Sequence, residues 1–426
     1  MSKYKKSYYN YYFNYNNNTV IFNTLTGQIS KLEGPEIALF NCNTSAYKPE
    51  SLNSEKEKEL LYKGMILNCE VDERKIIEKN YLDYINNNEL FLIILPTEQC
   101  NLRCIYCYEK FTKGSMTIDL QKSVISFLEK KLENYKALYI SWFGGEPLLA
   151  IDVIESMSKE IIALCKEKNV TYYAGITTNG TLLNEKNFKL LLNARVYDYQ
   201  ITLDGCQETH DNQRVDMSGE GTFSKIYNNL LIMKSFKDNF GVILRTNIGV
   251  ETEISVNSYI DKIYMDFGND TRFKLHLVAI ADLTGELKST IDLCDTSHLF
   301  PFYNYARSKG IDFNYYKSLY KPGGMICYAA NPNSFVIGSD GNIYKCTVAF
   351  EEEVNNVGKL ENGKLNCINR KLCLWNNNGF ETSEKCKYCK FLPICFGKFC
   401  PLEKIIHHEE PCPPFKKYIE RYFKLF

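Results

Sequence analysis

The chemistry open to this chain lies first in its cysteines. Cys100, Cys104 and Cys107 form a C-x3-C-x2-C run, three thiols within eight residues. Three thiolates so spaced can ligate three irons of a [4Fe–4S] cube and leave the fourth iron open to a substrate. A zinc site short of one ligand, or plain buried thiols, are the blander alternatives. Seventeen cysteines occur in the 426 residues, and nine of them fall after residue 326. Cys327, Gly341 and Cys346 form a C-x13-G-x4-C run. Cys386, Cys389, Cys395 and Cys400 follow as C-x2-C-x5-C-x4-C, and Cys412 comes last. A structural zinc ribbon uses four thiolates, and these seven ordered cysteines exceed one such site. Disulfides are rare in a reducing cytosol, so the clustering reads as metal ligation.

Other polar motifs need elements to carry them. Apolar runs predict strands at Leu90–Leu95, Leu138–Phe143, Thr171–Thr177, Tyr199–Leu203, Gly241–Ile248 and Phe273–Val278. Amphipathic helices lie between them, for example Thr117–Leu132 with Leu120, Val124, Phe127 and Leu128 on one face. Strands alternating with helices imply an α/β fold, a parallel sheet curled into a full or partial (β/α)6 barrel. Function in such barrels gathers at the C-terminal strand ends. The cysteine run follows the first strand, Gly144-Gly145-Glu146-Pro147 ends the second, Thr177-Thr-Asn179-Gly-Thr ends the third, and Thr202-Leu-Asp-Gly ends the fourth. Each alone could be a turn or a helix cap.

Residues 1–87 read as a winged-helix-like unit: strands at Thr19–Asn23, Gln28–Leu32 and Met65–Cys69, a short helix from Pro35, and a charged helix at Ser54–Tyr62. The Tyr- and Asn-rich stretch 10–18 reads as a loose loop. Residues 88–310 are expected to form the barrel. After about residue 310 the strand–helix rhythm gives way to Cys, Gly, Pro and Asn, so 311–426 is expected to be a small domain organised by metal. Basic and acidic residues balance at 51 each, which argues against nucleic-acid or membrane-surface partners. The N-terminus lacks the apolar core of a secretory signal. The longest apolar run, Leu90–Leu95, is far below the roughly 20 residues that span a bilayer. A cytoplasmic protein is expected.

Taken in order at successive strand ends, these motifs resemble the radical SAM superfamily over roughly residues 88–412, and the C-terminal cysteines resemble its SPASM extension. The resemblance implies that Cys100, Cys104 and Cys107 are catalytic and hold the cluster that cleaves S-adenosylmethionine (SAM). It implies SAM contacts from Tyr106 to the adenine, from Gly144, Gly145, Glu146 and Pro147 to the methionine amine, and from Asn179, Thr202 and Arg214 to the ribose and carboxylate. It further implies two auxiliary [4Fe–4S] clusters, three in all. Cys386, Cys389, Cys395 and Cys412 would complete one. Cys327, Cys346 and Cys400 would hold the other, with a fourth ligand from Cys367, Cys373 or a substrate thiolate. Four residues precede Cys400 where the family has three, which puts its role in doubt. A low-potential donor such as flavodoxin or ferredoxin would supply the electron.

Substrates of this subfamily are mostly peptides or proteins. The reading favoured here is a maturase forming a thioether in a ribosomally made precursor peptide. Formylglycine formation in a sulfatase and peptide epimerisation are the alternatives, and an iron–sulfur protein without turnover is a third class. The 99 residues ahead of Cys100 favour the first, because residues 1–87 resemble a leader-peptide recognition element that takes a leader as an added edge strand. Cys42, Cys69, Cys165, Cys206 and Cys294 read as buried, apolar-like residues, with Cys206 also a candidate hydrogen-atom donor. The five histidines lack ligand spacing, and His407 and His408 read as solvated surface.

Overall fold

The computed structural model describes residues 4–15, 18–34, 36–37, 40, 54–282, 293–376, 383–408 and 410–425. Cys42 and most of the helix expected from Pro35 lie outside them. Two compact units result, one of Met1–Asn87, Phe313–Asn331 and Leu374–Phe426, the other of Asn88–Asp312 and Pro332–Cys373. Residues 311–426, expected as one domain, thus divide between the two.

The first unit carries β1 (Tyr4–Lys6), β2 (Asn10–Tyr15), β3 (Asn18–Asn23), β4 (Gln28–Leu32) and β5 (Ile66–Asn68). β2, β3 and β4 form an antiparallel sheet, and β1 pairs with β5. The stretch 10–15 is therefore a strand and no loose loop. Its aromatic residues suit a half-buried pleat, with Phe13 stacked on Phe423 at 4.9 Å. Its first residue joins a buried polar knot, in which Asn23 Nδ2 donates to Asn10 Oδ1 at 2.9 Å and to Gly64 O at 3.0 Å. A helix at Ser54–Tyr62 follows. A second, Glu73–Ile85, is N-capped by Asp72, whose carboxylate accepts from the amides of Arg74 and Lys75. Tyr9, Leu25, Ile77 and Tyr81 share a core with Leu392 and Phe396, and Cys386 and Cys389 pack against it. The cysteine-rich tail is built on the N-terminal segment, so an apolar core supports this region as well as any metal.

The second unit is built on a ten-stranded sheet. Six strands are mutually parallel: β6 (Glu89–Thr97), β8 (Ala137–Gly144), β9 (Thr171–Thr178), β10 (Val196–Thr202), β12 (Gly241–Ile248) and β13 (Phe273–Ala279). Each lies within a few residues of its expected place, because each carries buried apolar residues, nearly continuous in β6 and alternating in β8 and β12. The helix at Ile118–Lys131 is N-capped by Thr117, which accepts from Leu120 N. The sheet does not close, since β6 takes β14 (Ser334–Ile337) as its other parallel neighbour. β15 (Asn342–Tyr344), β16 (Asn356–Glu361) and β17 (Lys364–Cys367) continue it antiparallel. The strand pattern therefore resumes at residue 334 rather than stopping near 310. A separate two-stranded ladder pairs β7 (Leu102–Cys104) with β11 (Arg214–Asp216). No helix among the described residues is long and apolar enough to cross a membrane.

Candidate functional site

The C-terminal ends of the parallel strands surround a cavity of about 520 Å³. Cys100 leaves β6 into it, Cys104 closes β7, and the Cys107 amide donates to Cys104 O at 3.1 Å in a tight turn. All three thiols line the cavity. Among the described residues, no group of three or more Cys, His, Asp or Glu converges on a point suited to one metal ion. Three thiols along one cavity suit a cube, whose irons each take a separate sulfur. Burial pushes the Cys100 thiol up to about 12 and that of Cys107 to about 11; a coordinated cation reverses this by deprotonating its thiol ligands outright.

Gly144 and Gly145 line the same cavity, and their missing side chains serve the cysteine loop. A Cβ on Gly144, where φ is +126°, would meet Thr97 O at 2.1 Å, and one on Gly145 would meet Gln99 O at 2.5 Å. The exit of β8 can thus lie against the backbone that leads into Cys100. Glu146 stands behind this wall. It is fully buried, outside the cavity wall, and its carboxylate is held by the chain: Oε1 accepts from Leu148 N at 2.9 Å and Thr178 Oγ1 at 2.7 Å, and Oε2 accepts from Asn179 N at 2.7 Å. Burial raises its pKa against these three donors. Pro147 is likewise buried off the cavity, at the start of a 3-10 turn.

Thr202, Arg214 and Tyr106 do line the cavity. The Tyr106 hydroxyl donates to Asp204 Oδ2 and accepts from Arg214 NH1 at 2.6 Å and Asn247 Nδ2 at 3.2 Å. Asp204 Oδ1 accepts from Asn247 N at 2.7 Å. Arg214 Nε is buried without a hydrogen-bond partner, an unsatisfied donor of the kind a bound carboxylate would satisfy. Behind this knot the Asp204 amide donates to His210 Nδ1 at 3.1 Å, so the ring proton sits on Nε2, which faces Thr222 Oγ1 at 3.1 Å. The Thr222 hydroxyl in turn donates to Arg214 O at 2.7 Å, on the strand paired with Cys104. Burial and the Arg214 charge hold His210 neutral, its pKa lowered to about 2. Asp204 was singled out only as part of the Thr202-Leu-Asp-Gly motif, and His210, Thr222, Asn247 and the cavity-lining Arg245 were not anticipated. The pleat could have flagged two of them, since Asp204 and Asn247 stand two residues beyond the inward-facing Thr202 and Arg245.

Cys206 is absent from the cavity wall, and its thiol turns to Ser255 O at 3.5 Å, which removes the observation that made it a hydrogen-atom donor. Cys165 and Cys294 are buried, Cys69 is exposed, and His407 and His408 are exposed.

In the first unit, Cys386, Cys389, Cys395 and Cys412 line one small cavity of about 20 Å³. Lys416 Nζ lies 3.8 Å from Cys412 Sγ. The Cys327 amide donates to Lys398 O at 3.0 Å, near Cys400 in sequence. Cys346 belongs to the second unit, as do Cys367 and Cys373. It directly precedes Thr347 and Val348, which line the large cavity.

Residues 94–263 match the family model of the Radical SAM superfamily. The cysteine-type anaerobic sulfatase-maturating enzyme of Clostridium novyi (strain NT) is 26% identical over 341 residues, covering 72% of this chain and 86% of that one. Its counterpart in Clostridium perfringens (strain 13 / Type A) is 25% identical over 341 residues, covering 72% and 88%. The solved structure of anSMEcpe with bound AdoMet and Cp18Cys peptide is similar in fold, with a TM-score of 0.60 and 20% identity over 79% of this chain and 96% of that one. Residues 94–263 are therefore a radical SAM domain, of the kind that works with a [4Fe–4S] cluster and SAM.

Proposed function

We propose that this enzyme is a peptide maturase that joins a cysteine sulfur to carbon in a ribosomally made precursor. The observation that carries this reading is the large cavity, lined by three cysteines, by Arg214 with its unsatisfied Nε, and by the chain next to Cys346. When bound, the cluster of Cys100, Cys104 and Cys107 and SAM supply reductive C–S cleavage, and with it a 5′-deoxyadenosyl radical. The chain's own residues bind, orient and exclude water. Arg214 Nε suits the SAM carboxylate, Thr202 the ribose, the Tyr106 ring the adenine, and the Gly144–Gly145 backbone the methionine amine. Cys346 would hold an auxiliary cluster next to the cavity wall, where a substrate thiolate could reach it. Cys386, Cys389, Cys395 and Cys412 would saturate another cluster.

A leader peptide is assigned to β4 as an added strand. The outer carbonyls of β4 are now occupied: Ile29 O accepts from Lys63 Nζ at 2.8 Å and Lys31 O from Lys56 Nζ at 2.9 Å. An incoming strand would displace both lysines. Sulfatase maturation is the second reading, favoured by the two clostridial relatives that align with 72% of the chain. Anaerobic co-expression with a short cysteine-rich peptide encoded beside the gene tests the choice. Mass spectrometry showing loss of two hydrogens, with the cysteine closed to alkylation, supports the thioether. An unchanged peptide, together with formylglycine in a sulfatase-derived cysteine peptide, replaces it with the second reading.

A further inference from the structure

Asn179 was assigned to SAM by resemblance, yet its side chain is spent on the protein. It is 7% exposed. Oδ1 accepts from Thr181 N at 2.9 Å and Thr181 Oγ1 at 2.6 Å. Nδ2 donates to Asn101 Oδ1 at 2.9 Å and to Cys100 Sγ at 3.9 Å. Asn101 Nδ2 closes the ring by donating to Thr181 Oγ1 at 2.9 Å. The orientation of the amide follows from its partners. Thr181 N can only donate, so the atom facing it must be Oδ1, and the NH2 group must face Asn101 and the sulfur. One amide hydrogen goes to Asn101 and the other to Cys100, which leaves none for a ligand. Glu146 anchors this loop from behind through Asn179 N and Thr178 Oγ1. Leu102 N supplies a second donor to the same sulfur at 3.4 Å.

Hydrogen bonds to ligand sulfurs help set the reduction potential of an iron–sulfur cluster. A donor withdraws charge from the thiolate and so favours the more negative, reduced state. We propose that Asn179 is a positioning residue for Cys100, whose amide raises the potential of the cluster held by Cys100, Cys104 and Cys107, and that it is not a SAM ligand. The proposal rests on the reading that these three cysteines hold the cluster.

The test is an anaerobic redox titration of the reconstituted full chain without SAM, followed by EPR, alongside SAM binding by calorimetry. Asn179→Asp keeps the acceptor for Thr181 and removes the donor to sulfur; Asn179→Leu removes both. Each is expected to shift the midpoint potential to a more negative value while SAM affinity stays close to that of the parent. Asn101→Ala, which spares the donor to sulfur, is expected to leave the midpoint in place. An unchanged midpoint with a roughly tenfold or greater loss of SAM affinity would make Asn179 a SAM ligand and overturn the proposal. So would an equal shift in Asn101→Ala, which would assign the effect to loop disorder. If neither Asn179 variant takes up iron, the parent protein carrying isotopically labelled asparagine decides. Its reduced cluster should show hyperfine coupling to an amide nitrogen, and absence of that coupling rejects the idea. Persistence of the titrating component in a Cys100→Ala/Cys104→Ala/Cys107→Ala protein would instead refute the cluster reading itself.

Discussion

The cavity beside Cys100, Cys104 and Cys107 measures about 520 Å³, and the one among Cys386, Cys389, Cys395 and Cys412 about 20 Å³. The first falls within the range of small-molecule sites, roughly 300–1,000 Å³. The second has room for little more than one water. Both are ringed by thiols, so ligand type alone does not separate them; the count of thiols and the surrounding space do. Three ligands beside a large void leave a coordination position and somewhere for a reactant to lie. Four thiols around so small a space, two of them packed on an apolar core, would leave neither if they hold a cluster as proposed, which is the distinction between open catalytic and closed structural metal sites. The polar groups divide the same way. Around Cys100 they are held by one another, whereas Cys386 and Cys389 pack on Tyr9, Leu25, Ile77 and Tyr81.

The largest effect expected from this contrast is on SAM cleavage. Cys104→Ser should depress 5′-deoxyadenosine formation in the presence of SAM and dithionite on the order of a thousandfold or more. Cys395→Ala should lower bound iron and abolish peptide product while 5′-deoxyadenosine still forms. Equal loss of 5′-deoxyadenosine in both variants would break the division into an open and a closed site.

Next in size is the core beneath the closed site. Tyr81 is 4% exposed, meets Phe396 edge-on at 5.7 Å and lies under Lys398 Nζ at 4.9 Å. Tyr81→Ala should cost about 3 kcal/mol, seen as a lowered thermal midpoint, and should release iron from the four-cysteine site before that of Cys100, Cys104 and Cys107. Simultaneous release from both would show that the core does not serve the closed site in particular.

The two sites were unequally legible in the sequence. The strands carrying the open site were plain because Leu90–Leu95 is apolar throughout and its five counterparts set buried apolar residues among polar or more exposed ones. The cysteines were plain because their spacing is local. The partners of the polar residues were not. Nothing in Gly144–Pro147 reveals that Glu146 will accept from amides and a hydroxyl of Leu148, Thr178 and Asn179, two of them some 32 residues away. Asp204 and His210 look like turn and helix-end residues until their burial is known. Long-range pairing was the other loss, because β14 beside β6 joins segments about 240 residues apart. β2 was missed because Tyr and Asn alternate irregularly there, and burial of the strand comes from Asn23 on the next strand and from Phe423, which is distant in sequence.

His210 offers a medium-sized test of the polar wall of the open site. Its pKa falls from near 6.5 to about 2 through burial and the Arg214 charge. Below about pH 6.5 the unfolded chain takes up a proton that the folded chain refuses, so the unfolded state binds more protons and stability falls as pH falls. The loss approaches 1.4 kcal/mol per pH unit for this one residue. Anaerobic urea unfolding between about pH 6.5 and pH 5 should show it, and His210→Gln should flatten that slope. An unaltered slope would mean that His210 takes its proton in the folded protein, and the tautomer that joins Asp204 to Thr222 would then be wrong.

The smallest effect concerns the first unit away from its cysteines. Lys56 and Lys63 both reach Glu59, at 2.8 and 2.7 Å, and hold its carboxyl down to about 2 together with Ser30. With Glu59 about a third exposed, such pairs contribute within about 1 kcal/mol, so Lys56→Ala/Lys63→Ala should barely move the thermal midpoint. Its consequence lies at the edge of β4, where the carbonyls of Ile29 and Lys31 lose their donors. An uncapped edge pairs with other strands, so the double variant should self-associate more readily in sedimentation and should take up a strand-forming peptide more readily than the parent does. Unchanged sedimentation and peptide uptake would mean that the lysines guard nothing, and the leader would have to be sought on a surface other than β4.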